Sequence, residues 1–89
     1  MKLREEFFLH ENGGELLLIC ADRHYYSGYI RCNETAARII EHLENDVTET
    51  EIVDRLFEEF DAPREVIATD VRKVLEKFRE IGALDEKIQ

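Results

Sequence analysis

The sequence predicts an α+β domain in which a three-stranded antiparallel sheet is followed by a three-helix bundle. Three observations predict it. Apolar residues run in short, strand-length blocks as far as Cys32 and recur with helical spacing after Asn33. Turn and cap residues stand between the blocks, at Asn12-Gly13-Gly14, Asn33, Thr48, Pro63 and Gly82. The 89 residues suffice for one core only, so 1–89 is read as one domain whose sheet and helices share that core.

The first strand is expected over 3–10, with Phe7 and Leu9 on one face and Phe8 on the other. Asn12, Gly13 and Gly14 tolerate positive φ and, between two apolar runs, signal a hairpin. The second strand, 15–21, holds the unbroken run Leu16-Leu17-Leu18-Ile19-Cys20, which predicts cover on both faces. After the polar break Asp22-Arg23-His24, a third strand is expected over 25–32, interrupted by Gly28, where another backbone can come close. Alternation sets Tyr26, Ile30 and Cys32 on one face and Tyr25, Ser27, Tyr29 and Arg31 on the other. The second set is too aromatic for a plain solvated surface.

The helical half is expected over 34–44, 49–60 and 63–81. Asn33 is an N-cap for the first helix, whose stripe is Ala36, Ile39, Ile40 and Leu43. Thr48 and Glu51 form a capping box before the stripe Ile52, Val53, Leu56, Phe57 and Phe60. Pro63 sits where a first helical turn tolerates it, and the third helix carries Ile67, Val71, Val74, Leu75 and Phe78 on one face. Gly82 closes that helix, with Leu84 placed to pack back on its last turn. The short break Asp61-Ala62-Pro63 resembles a helix-turn-helix corner, so the helical half reads as winged-helix-like.

The chain holds 12 Lys+Arg against 21 Asp+Glu, a formal net charge of −9. That balance disfavours nucleic acid, because counterion release needs clustered bases. The excess is uneven: eight acids and one base lie between Glu44 and Asp61, but five bases and four acids between Arg64 and Glu80. At 100° per residue, Arg72 and Arg79 flank the apolar face of the third helix on one side, with Lys73 and Lys77 toward the other. Such a basic edge beside a groove suits an acidic partner. No apolar run approaches the ~20 residues of a membrane span, and the acidic start has no signal-like stretch, so a cytoplasmic protein without a membrane partner is expected.

No catalytic pattern stands out: there is no G-x-S-x-G, no Gly-rich phosphate loop and no H-E-x-x-H. Cys20 and Cys32 read as two reduced thiols, with a disulfide as the alternative. With His24 they lack metal-ligand spacing, so neither a metal nor a cofactor is expected.

The junction Cys32-Asn33-Glu34-Thr35-Ala36-Ala37 resembles the strand-to-helix junction of the PqqD-like family, peptide-binding chaperones of pyrroloquinoline quinone biosynthesis and related pathways. The resemblance continues through Thr48 to Val53, Phe60-Asp61, Asp70-Val71, Leu75 and Gly82-Ala83-Leu84. It covers most of the chain in the right order. It implies a non-enzymatic module that binds the leader of a ribosomally made precursor peptide and presents it to a modifying enzyme, often of the radical SAM type. In the family the leader adds as a strand at the edge of the third strand, in a groove shared with the third helix, and the resemblance implies the same here. Carried over residue by residue, the implied site comprises Tyr25, Tyr26, Ser27, Gly28, Tyr29, Ile30 and Arg31, with Val71, Arg72, Leu75, Phe78 and Arg79.

Two departures stand out. Glu44-Asn45-Asp46 occupies a turn where the family usually has Gly, with Asn45 able to take positive φ; Cys32 replaces the usual Leu or Val. They leave open whether this is the quinone-pathway protein itself or a relative serving another peptide, and a relative is expected. A winged-helix DNA-binding regulator and a protein–protein adaptor without an added strand remain the alternatives, and an open strand edge also allows a homodimer.

Overall fold

In the computed structural model, which describes residues 1–86, the elements follow one another as β1 (Lys2–Leu3), β2 (Phe7–Asn12), β3 (Glu15–Cys20), β4 (Tyr29–Cys32), α1 (Glu34–His42), α2 (Glu49–Glu59), α3 (Arg64–Glu80) and β5 (Leu84–Asp85). The antiparallel sheet has the order β2-β3-β4. It starts from the tight turn at Gly13 and Gly14, whose φ values of +58° and +86° are those a two-residue hairpin turn requires.

The expected strand over 3–10 is divided, because its backbone serves two different partners. Leu3 N–H donates to Leu43 O at 3.0 Å and Arg4 N–H to Ala83 O at 2.8 Å. The start of the chain is thereby held against the ends of α1 and α3, and β1 pairs with β5 in a separate two-stranded sheet. Phe7 N–H then turns back to Arg4 O at 3.0 Å, and β2 begins.

The strand expected over 25–32 begins only at Tyr29. Asp22 is the reason. Its carboxylate accepts from His24 N–H at 3.0 Å, and its carbonyl accepts from the N–H groups of Tyr25 and Tyr26, each at 3.1 Å. Those donors close a local turn and cannot join a ladder. Tyr25, Tyr26, Ser27 and Gly28 therefore form a connection, and Gly28, at φ +115°, returns the chain to the sheet.

The helix ends follow the sequence signals closely. Asn33 accepts from Ala36 N–H at 2.8 Å, and both bonds of the Thr48–Glu51 capping box are present, at 3.0 and 3.1 Å. Pro63 is the N-cap of α3 rather than its first residue. At the other end Gly82 N–H reaches Arg79 O at 3.0 Å and Ala83 N–H reaches Phe78 O at 2.8 Å, a Schellman closure. Asn45 does not take positive φ, which only glycines do among the described residues. That turn is held from outside instead, by Val47 N–H donating to Met1 O at 2.8 Å and the Met1 ammonium donating to the Asp46 carboxylate at 2.7 Å.

The inner sheet face contributes Phe7, Leu18 and Cys20 to a core filled from the helices by Ile39, Leu43, Ile52, Leu56, Val71, Leu75 and Phe78. On the outer face Leu17 is buried between its cross-strand partners His10 and Arg31, whereas Ile19 is half-buried between Phe8 and Tyr29. The sheet's own side chains thus supply what cover the outer face has. Among the described residues no helix is long and apolar enough to cross a membrane.

Candidate functional site

The sheet register decides which backbone groups β4 leaves open. The tight turn makes Asn12 and Glu15 a hydrogen-bonded pair, and Ala21 N–H donates to Glu6 O at 2.7 Å. Residues alternate along a strand, so the odd-numbered residues of β3 point their backbone groups at β2 and the even-numbered ones at β4. Leu16 and Leu18 are opposite Cys32 and Ile30, which consequently exchange bonds with β3. The N–H and C=O groups of Tyr29 and Arg31 point away from the sheet. Among the described residues β4 pairs with β3 alone, and this edge is open.

A groove of about 510 Å³ runs between that edge and α3. Ile30 and Cys32 from β4, Ala36 from α1 and Val74 and Phe78 from α3 line it with apolar surface, beside Asn33 at the helix cap. Arg31, Lys73 and Lys77 complete the lining, and no acid among the described residues belongs to it. Burial pushes the Cys32 thiol up against a smaller opposing effect of the Leu18 backbone, so it serves here as a small neutral group. Both cysteines are free thiols.

The residues singled out from sequence separate into distinct environments. Ile30, Arg31 and Phe78 line the groove, and Tyr29 stands beside them on the open edge, 56% exposed. Tyr26, Ser27 and Gly28 line, with Tyr29, a smaller hollow near Arg23. Val71 and Leu75 are core residues, each at 0% exposure. Arg72 leans toward Glu49 on α2 at 3.5 Å, and Arg79 is bound to Glu86 at 2.9 Å.

Tyr25 takes no part in lining the groove. Its hydroxyl donates to Gly82 O at 2.8 Å, its ring meets Phe7 edge-on at 6.0 Å, and the Arg4 guanidinium lies 4.9 Å above it. Gly82 makes this contact feasible: at φ +73°, a Cβ there would stand 2.5 Å from the Tyr25 hydroxyl. The site implied from sequence omitted Cys32, Asn33, Ala36, Lys73, Val74 and Lys77, all of which line the groove. A helical wheel identified the Lys73–Lys77 flank, but not that this flank is the one facing β4.

A second concavity of about 500 Å³ lies between the hairpin end and α1, sharing Arg31 and Cys32 with the groove. Its charges are mixed and partly satisfied within the chain, Glu41 by Arg38 at 2.8 Å and Glu15 by Arg31 at 3.9 Å. Nearby, Arg38 holds Glu59 bidentately at 2.8 and 2.9 Å, and His42 Nε2 lies 2.9 Å from the same carboxylate. Burial alone would raise Glu59, but the Arg38 and His42 bonds outweigh it and hold the carboxyl below its ordinary value.

Sheet-then-bundle order, with an open strand edge along the last long helix, makes this a winged-helix-like α+β domain. The family described as coenzyme PQQ synthesis protein D (PqqD) matches residues 9–84, and the chain belongs to that family. Two solved structures share the fold. One, described as TbiB1 in complex with the TbiA(beta) leader peptide, is 21% identical with a TM-score of 0.77, over 100% of both chains. The other, a lasso peptide synthetase B1 complexed with the leader peptide, is also 21% identical, with a TM-score of 0.71 over 92% of this chain and 93% of that one. No curated protein matches the chain.

Proposed function

We propose that this protein binds the leader of a ribosomally made precursor peptide as an added strand on β4, in the groove beside α3. The observation that carries the reading is the open backbone edge of Tyr29 and Arg31 next to an apolar lining. An incoming strand satisfies that edge and puts alternate side chains over Ile30, Val74 and Phe78. Membership of the PqqD family supports it, as do two similarly folded proteins that were solved with leader peptides. The contact residues are Tyr29, Ile30, Arg31, Cys32, Lys73, Val74, Lys77 and Phe78. The bound leader is presented to a modifying enzyme of the radical SAM type, and the covalent chemistry belongs to that enzyme. Arg72 and Arg79 already face Glu49 and Glu86, which leaves α3 only Lys73 and Lys77 beside the groove, fewer clustered bases than a duplex backbone needs.

The test is a titration of the isotope-labelled chain with the leader of the precursor encoded beside it, read amide by amide. Shifts are expected over Tyr29–Cys32 and Lys73–Phe78, and Tyr29→Pro should abolish them by removing an outward N–H that β3 does not use. Unmoved amides at millimolar peptide, or a proline variant that binds like the parent, overturn the reading. If the neighbouring enzyme processes the precursor equally well without this chain, presentation is overturned.

A further inference from the structure

The chain has nearly twice as many acids as bases, 21 against 12, yet among the described residues the groove lining holds Arg31, Lys73 and Lys77 and no carboxylate. How the bases are partnered sharpens the contrast. Arg4, Arg38 and Arg79 hold carboxylates at 2.8–3.0 Å away from the groove, and Arg64 is tightly paired with Asp54. The groove bases are not held in this way. Lys77 is 3.7 Å from Glu80, Arg31 is 3.9 Å from Glu15, and Lys73 has no ion pair among the described residues. Lys2, Arg23 and Arg55 are likewise without ion pairs but stand singly on separate segments.

Lys73 and Lys77 are one helical turn apart, a rise of ~6 Å. Side chains on one face of an extended strand repeat every ~6.8 Å. Carboxylates two residues apart on an added strand can therefore each meet one ammonium, while an outward-facing side chain lies beside Arg31. We infer that the groove selects an acidic leader segment, with Lys73, Lys77 and Arg31 as its specificity determinants. This rests on the strand-addition reading and adds to it the chemistry of the peptide.

The experiment measures affinity for the leader of the neighbouring precursor at low and high salt. It compares the parent with Lys73→Glu/Lys77→Glu, Lys73→Arg/Lys77→Arg and Tyr29→Pro. The reversed pair should bind about tenfold or more weakly at low salt, with the arginine pair close to the parent and the gap narrowing as salt screens it. Changing the leader's Asp and Glu to Asn and Gln should weaken binding to the parent similarly. If reversal and amidation leave affinity unchanged while Tyr29→Pro abolishes it, the acidic preference is overturned and strand addition stands. If the charge changes matter but Tyr29→Pro does not, strand addition fails and the groove takes acidic peptide in another way. A leader that does not bind the parent, or has no carboxylate in its docking segment, overturns the inference outright.

Discussion

Tyr25 and Tyr29 lie four residues apart in one stretch of β-forming composition, yet they belong to regions with opposite roles. Tyr25 is a strap: its hydroxyl, ring face and ring edge all have partners within the chain, at Gly82, Arg4 and Phe7. Tyr29 stands on an edge whose backbone groups have none among the described residues. The difference arises at Asp22, which draws the N–H groups of residues 24–26 into a turn before β4 begins. Similar side chains become scaffold or open edge according to where their backbone hydrogen bonds go.

Substitutions on the scaffold side should therefore change stability and spare leader binding at saturating folded protein. The largest loss is expected at Leu75, counted from sequence as a groove residue but wholly buried. Leu75→Ala should cost about 2–5 kcal/mol in denaturant unfolding; a near-neutral result with lost binding would move the core–groove boundary. Gly82→Ala follows at about 2–3 kcal/mol, combining a left-handed backbone with displacement of the Tyr25 hydroxyl. Its cost should fall measurably in a Tyr25→Ala background, because the two residues touch. Tyr25→Phe removes one hydrogen bond and should cost about 1 kcal/mol, with leader affinity unchanged. Weaker affinity in that variant would join the two regions this comparison separates.

The smallest effect concerns acid. Glu59 has a folded pKa below its ordinary value, so its contribution is present above the unfolded Glu value of about 4.3 and is lost as pH falls through the folded one. Thermal unfolding followed below pH 5 should show a shallower acid decline for Glu59→Gln than for the parent. An identical decline would mean that the Arg38–Glu59–His42 contact contributes nothing to joining α1 and α2.

Most of the fold was legible because its signals are local. The paired glycines, the Asn33 cap, the Thr48–Glu51 box and the Gly82 closure each act within a few residues. The divided first strand was not, since Arg4 N–H finds its acceptor at Ala83, far along the chain. The shortened third strand had a local cause in Asp22, masked by the strand-forming character of Tyr25 and Tyr26. The site was half legible. Periodicity separated the Arg72–Arg79 flank of α3 from the Lys73–Lys77 flank, but only tertiary packing decides which one β4 approaches.

The shortness of the open edge has a kinetic consequence. With four residues in β4, of which two point outward, an added strand gains few backbone bonds, each contributing about 0.5–1.5 kcal/mol net. Ordering a flexible peptide offsets much of that. On the strand-addition proposal, a complex held by so few backbone bonds dissociates quickly wherever side chains do not reinforce it, and one copy of the domain would then serve many peptide molecules in succession.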